Sequence, residues 1–99
     1  MLQQPSILYV EDDLQSRMVM EILLVEDMGL SYVTILEDSK DFLSKVEALE
    51  PAADVVLLDI HVKPYNGFEM LGILRSHPIY KDTPVVALTA SAASTNSGK

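Results

Sequence analysis

The feature that most restricts this chain is a regular exchange of two hydrophobic rhythms. Short β-type runs ("SILYV" at 6–10, "SYVTIL" at 31–36, "DVVLLD" at 54–59 and "VVAL" at 85–88) alternate with stretches of helical spacing. Between the first and second runs, "LQSRMVMEILLVEDMG" puts Met18, Ile22 and Val25 on one helical face, with Asp13 as N-cap and Gly29 as C-terminal stop. Between the second and third, "SKDFLSKVEAL" aligns Phe42, Val46 and Leu49, with Ser39 or Asp38 as cap and Pro51 just past the end. Between the third and fourth, "FEMLGILRS" predicts a helix over 68–76, which Gly72 weakens by about 1 kcal/mol relative to alanine. This alternation favours a parallel sheet with helices on both faces, and the right-handed crossover rule restricts the topology further. The third run is apolar from Val55 to Leu58, which predicts a strand buried on both faces.

Ninety-nine residues suffice for one small domain, with a core expected over 6–91 and a polar tail over 92–99. Acidic residues number 15 against 7 basic ones, a net charge of −8, which argues against nucleic-acid binding and suits cations or basic partners. Without cysteine there is no disulfide, thiol catalysis or cysteine-ligated metal. No apolar run approaches the ~20 residues of a membrane span, so a cytoplasmic location with no membrane contact is the expectation. His61 and His77 lack paired ligand spacing, which disfavours a histidine-bound metal.

The chemistry concentrates where the strands end. In open parallel sheets, ligands bind at the carboxyl ends of the strands. The first run ends at Glu11 and Asp12, the third at Asp59 and the fourth at Thr89. Taken alone, Asp59 reads better as a turn former, and the acidic start of a helix accounts for Asp13 but not for the whole "EDD" run. If the three strands are neighbours, three carboxylates and a hydroxyl converge. At an effective dielectric of 20, two charges roughly 5 Å apart repel by about 3 kcal/mol, so a proton or a cation must relieve the cluster. A hard divalent cation such as Mg²⁺, which takes one or two carboxylates, water and phosphate oxygens, fits phosphoryl chemistry, with the carboxylate nearest phosphorus as nucleophile.

"ILYVEDD", "DVVLLDI" followed by "NG", and "PVVALTA", in this order and spacing, resemble the receiver domain of two-component response regulators. The resemblance covers Ser6 to about Ser91. It implies a three-layer, flavodoxin-like α/β fold with strand order 2-1-3-4, continued in the family by a fifth strand. It places the phosphoacceptor at Asp59, the metal-binding acids at Glu11 and Asp12, and a backbone-carbonyl ligand at His61. Thr89 falls on the switch hydroxyl and Ala90 on the small residue after it. The implied cofactor is Mg²⁺ and the implied partner a histidine kinase or phosphotransfer protein. Such a chain is no enzyme beyond assisting its own aspartyl phosphorylation and hydrolysis.

Two departures qualify the resemblance. Lys63 stands where the family usually has proline, with Pro64 one residue later, although Gly67 keeps its place. The family's fifth strand, with its phosphoryl-gripping lysine, has no counterpart before Lys99, so a chain lacking that strand and the last two helices is expected. A non-signalling interaction module is therefore the alternative. A phosphotransferase of the haloacid dehalogenase type is disfavoured, because His61 stands where that family needs a second aspartate. A fourth strand left at the edge of the sheet predicts self-association.

Overall fold

The computed structural model describes residues 4–88, and Thr89, Ala90 and the polar tail lie outside the described residues. Eight elements follow one another: β1 (Ser6–Val10), α1 (Leu14–Glu21), a π-helical segment (Ile22–Asp27), β2 (Tyr32–Leu36), α2 (Phe42–Glu47), β3 (Val55–Asp59), α3 (Gly67–Arg75) and β4 (Val85–Leu88). The strands form one sheet of order β2-β1-β3-β4, with every pair parallel. This is the flavodoxin-like α/β arrangement expected for a receiver.

The register brings the site together. Val10 is opposite Leu58 and Asp59 is opposite Leu88, so the carboxyl ends of β1 and β3 lie side by side, with Leu88 of β4 beside Asp59. One face of the sheet holds the principal core: Leu8, Val10, Val56 and Leu58 meet Phe42 and Val46 of α2 and Met70 and Leu74 of α3. These are alternate strand positions, which point to one side of the pleat. On the opposite side Val55 and Leu57 are only half-buried, so β3 is not enclosed on both faces as its apolar run predicts.

The first helix departs most from expectation. Asp13 caps it as predicted, accepting from the Ser16 amide at 2.9 Å. After Glu21 the backbone widens to π spacing, with the Met28 amide bonded to the Leu23 carbonyl. Gly29, at φ +70°, then stops the helix, and the Leu30 amide bonds back to Leu24. The predicted apolar face is not core among the described residues. Met18 is 54%, Ile22 46% and Val25 39% exposed, whereas Leu24 is buried. A 3.6-residue pattern marks which side chains share a face but not whether anything covers it.

Neither predicted cap of the second helix operates. The N-cap position is Asp41, in a left-handed conformation and without a side-chain cap. Ser39 instead lies wholly buried, its hydroxyl donating to the Tyr65 carbonyl and accepting from the Tyr65 amide, each at 2.7 Å. It ties the loop after β2 to the loop after β3. The third helix begins with a capping box: Asn66 accepts from the Glu69 amide at 2.8 Å, and the Glu69 carboxylate accepts from the Asn66 amide at 2.9 Å. At the amino end of the sheet, Tyr80 is buried, donating to the Val46 carbonyl and accepting from the Ala53 amide.

Candidate functional site

The site stands on the carboxyl ends of two central strands. β1 delivers Glu11 and Asp12 one and two residues beyond Val10, and β3 delivers Asp59 as its last residue. One carboxylate oxygen from each of Glu11, Asp12 and Asp59 lies within 4.8 Å of the others. Glu11 and Asp59 are buried, 4% and 6% exposed, while Asp12 faces solvent. The three acids singled out in the sequence thus meet in space.

Each buried acid is held by its own backbone neighbourhood. The Asp59 Oδ1 accepts from the His61 amide at 3.3 Å, the turn geometry expected of an aspartate at a strand end. His61 is exposed and takes part through its main chain. Glu11 Oε2 accepts from the Asp13 amide at 3.1 Å, and Glu11 Oε1 accepts from the Tyr9 hydroxyl at 3.1 Å. Arg17 donates to the Glu11 main-chain carbonyl at 3.0 Å, which fixes the turn from β1 into α1.

The electrostatics record the crowding. Burial pushes the Glu11 carboxyl above its ordinary value of 4.5, and the neighbouring Asp59 charge adds to the rise; the Asp13 amide and the Tyr9 hydroxyl oppose it. Burial pushes the Tyr9 phenol upward, and the charges of Glu11 and Asp59 reinforce this, so its proton stays on the hydroxyl. Asp13, bonded to the Ser16 hydroxyl and amide, is held below its ordinary value. An acid whose ionisation is opposed by burial and a like charge gains from a cation that replaces the lost solvation.

Tyr9 is not among the site residues predicted from the sequence. The signal is present there: positions two apart on a strand share a side, so a tyrosine two residues before a strand-ending acid points toward it. Gly67 is also closer to the chemistry than its place in the "NG" pair suggests. A Cβ there would come within 2.9 Å of Ile60 Cα and 3.2 Å of the Asp59 carbonyl oxygen. The amide of Gly67 donates to the Ile60 carbonyl at 3.0 Å, docking the start of α3 directly under the site. Lys63 is exposed, and its carbonyl accepts from the Ser39 amide. Thr89 and Ala90 fall outside the described residues, beyond Leu88 at the end of β4.

The comparisons agree with this geometry. Residues 7–98 match the model of the response regulator receiver domain. An uncharacterised 14.6 kDa protein of Leptolyngbya boryana is 35% identical over 92% of this chain, which spans 66% of that protein. Protein RcaC of Microchaete diplosiphon is 37% identical over 58% of this chain, which spans 8% of its length. Among solved structures, the receiver domain of a sensor histidine kinase from Pseudomonas aeruginosa, with a magnesium ion coordinated in its active-site cleft, superposes with a TM-score of 0.77. It is 26% identical, over 91% of this chain and 70% of that one. The phosphorylated cyanobacterial phytochrome response regulator RcpA shares the fold, with a TM-score of 0.77 at 23% identity over 88% of this chain and 66% of that one. With its parallel 2-1-3-4 sheet and its acid cluster at the carboxyl ends of β1 and β3, the chain belongs to the response regulator receiver domain family.

Proposed function

We propose that this receiver domain accepts a phosphoryl group on Asp59 in a magnesium-dependent reaction, from the phosphohistidine of a histidine kinase or phosphotransfer protein. The observation that carries the reading is the convergence of Glu11, Asp12 and Asp59 within 4.8 Å at the carboxyl ends of β1 and β3. The donor set is all oxygen, which fits a hard divalent cation, and its crowded charge fits the same ion. Glu11, Asp12 and Asp59, with the His61 carbonyl, would hold it. When bound, the magnesium ion supplies positive charge that offsets the repulsion between the acids and an incoming phosphate.

The chain's own residues then have distinct tasks. The His61 amide and the end of β3 orient Asp59, so that one carboxylate oxygen can attack phosphorus in line. The new bond is Oδ–P, the bond that breaks is the donor's P–N bond, and the departing imidazole retains the electron pair and takes a proton. Thr89, at the end of β4 in the sequence, is proposed to donate its hydroxyl to the phosphoryl group and report its arrival. The product is a mixed anhydride on the protein, so the domain is a phosphoacceptor rather than a turnover enzyme.

We extend the proposal to association between copies: among the described residues β4 pairs only with β3, and its Val86 is 46% exposed. Light scattering over a concentration series reads this directly, and a monomer's mass at every concentration removes it. The phosphoacceptor reading is tested by incubation with Mg²⁺ and acetyl phosphate, followed by intact mass measurement. One added phosphoryl group is expected, absent in Asp59→Asn and absent when EDTA replaces Mg²⁺. A phosphoryl group retained by Asp59→Asn would refute the assignment. No addition to the parent chain would favour an interaction module that does not signal.

A further inference from the structure

We propose that Tyr9 is a positioning residue of the acid site, its hydroxyl holding the Glu11 carboxylate at 3.1 Å in the orientation that cation binding requires. The inference rests on the metal-dependent phosphoacceptor reading and assigns a role to a residue other than the acids.

Tyr9 is the penultimate residue of β1, 2% exposed, its backbone in register with Ile35 of β2 on one side and Leu57 of β3 on the other. A side chain so fully buried has little freedom, so its hydroxyl is delivered to one place. That place is Glu11 Oε1. Glutamate carries one more side-chain torsion than aspartate and needs more restraint to present an oxygen at a fixed point. Here both oxygens are restrained: Oε2 by the Asp13 amide at 3.1 Å and Oε1 by Tyr9. A carboxylate oxygen has two lone-pair directions, so accepting from Tyr9 leaves it able to face a cation. Packing alone does not call for the hydroxyl, since the phenylalanine ring would fill the same space. Among the described residues, Glu11 is the hydroxyl's hydrogen-bond partner.

The test is a double-mutant cycle on cation affinity. Mn²⁺ serves as the probe, since it too prefers oxygen ligands in octahedral geometry, and free Mn²⁺ is read by electron paramagnetic resonance. Tyr9→Phe is expected to weaken Mn²⁺ binding about tenfold, the scale of one hydrogen bond to a charged acceptor. In a Glu11→Gln background, where the carboxylate is already gone, the same change is expected to cost less than about twofold. Binding unchanged in Tyr9→Phe would overturn the inference while leaving the metal reading standing. Equal losses in the two backgrounds would also overturn it, because they mark a packing role. A parent chain that takes no Mn²⁺ at millimolar concentration would overturn the metal reading and this inference with it. Should Tyr9→Phe fail to fold, the parent decides by NMR with isotope-labelled tyrosine: a shift of the Tyr9 ring signals on saturation with Mg²⁺ supports the role, and Tyr9 signals silent to saturating Mg²⁺ overturn it.

Discussion

Replacing Gly67 by alanine should unsettle the site from beneath. The added methyl would lie 2.9 Å from Ile60 Cα and 3.2 Å from the Asp59 carbonyl oxygen. Carbon atoms pack comfortably at about 3.5–4.0 Å, so α3 and the end of β3 must part by roughly 0.5 Å. Both clashing atoms are backbone, which cannot swing aside as a side-chain tip does. The capping box at Asn66 and the Gly67 amide bond to Ile60 resist the same movement. Overpacking of this kind costs about 1–3 kcal/mol, and a stretched hydrogen bond adds about 1 kcal/mol. The smaller unfolded-state entropy of alanine returns about 0.4–1 kcal/mol. The net expectation is a loss of about 2 kcal/mol, or roughly 10 °C in Tm for a domain of this size. Gly72, five residues on in the same helix, is the internal control. Its surroundings are open, with nothing within 4 Å of an added Cβ. Gly72→Ala should therefore gain about 1 kcal/mol from helix propensity. Urea unfolding of the parent and both variants, with phosphorylation by acetyl phosphate alongside, tests the pair. Gly67→Ala should also slow phosphorylation at least about tenfold, because the displaced backbone carries Asp59, the proposed phosphoacceptor. A Gly67→Ala protein as stable as Gly72→Ala, phosphorylated at the parent rate, would refute the close-approach argument.

Three further outcomes follow from the same geometry. Asp12→Ala should weaken Mg²⁺ binding and abolish phosphorylation together, since Asp12 is the solvent-facing member of the cluster; calorimetry and intact mass check this, and phosphorylation persisting unchanged would remove Asp12 from the site. In metal-free protein, the raised Glu11 carboxyl means the native state still holds a proton that the unfolded chain has released. Stability should therefore fall as pH rises from the ordinary glutamate value of 4.5 toward the folded one, and then level off. The depressed Asp13 carboxyl acts with opposite sign in a lower window, its stabilisation being lost as pH falls below the ordinary aspartate value of 3.8. Urea midpoints against pH in EDTA read both, and Glu11→Gln should abolish the upper slope alone. Tyr80→Phe should cost about 2 kcal/mol, because the Val46 carbonyl and the Ala53 amide both lose a buried partner. It should leave Mg²⁺ affinity intact, since Tyr80 lies at the amino end of the sheet; a shared loss would show that the two ends are coupled.

Much of this was decided locally and is legible in the sequence. β4 begins at the predicted Val85, because Pro84 lies just before an apolar run led by two β-branched valines. The Asp13 cap and the Gly29 stop depend on a single residue's side chain or φ, so they too can be read directly. The acids of the site are legible for a related reason: a parallel sheet places strand ends together, so acids at the ends of β1 and β3 must meet if those strands are neighbours. The contacts that tertiary structure alone decided join residues far apart along the chain. Ser39 looks like a helix cap until the loop 26 residues onward supplies the Tyr65 backbone, whose two hydrogen bonds reward its burial. The apolar stripe of α1 looks like core, yet its exposure depends on what packs against it, which periodicity does not encode. Gly67 carries a turn signal in the sequence, but the 2.9 Å approach that demands glycine exists only once α3 docks on β3. The acid cluster itself belongs to both. Residue order put carboxylates at the strand ends, and sheet pairing brought them within 4.8 Å, where the burial of Glu11 and Asp59 and the crowding of three acids carry the proposal of a cation site.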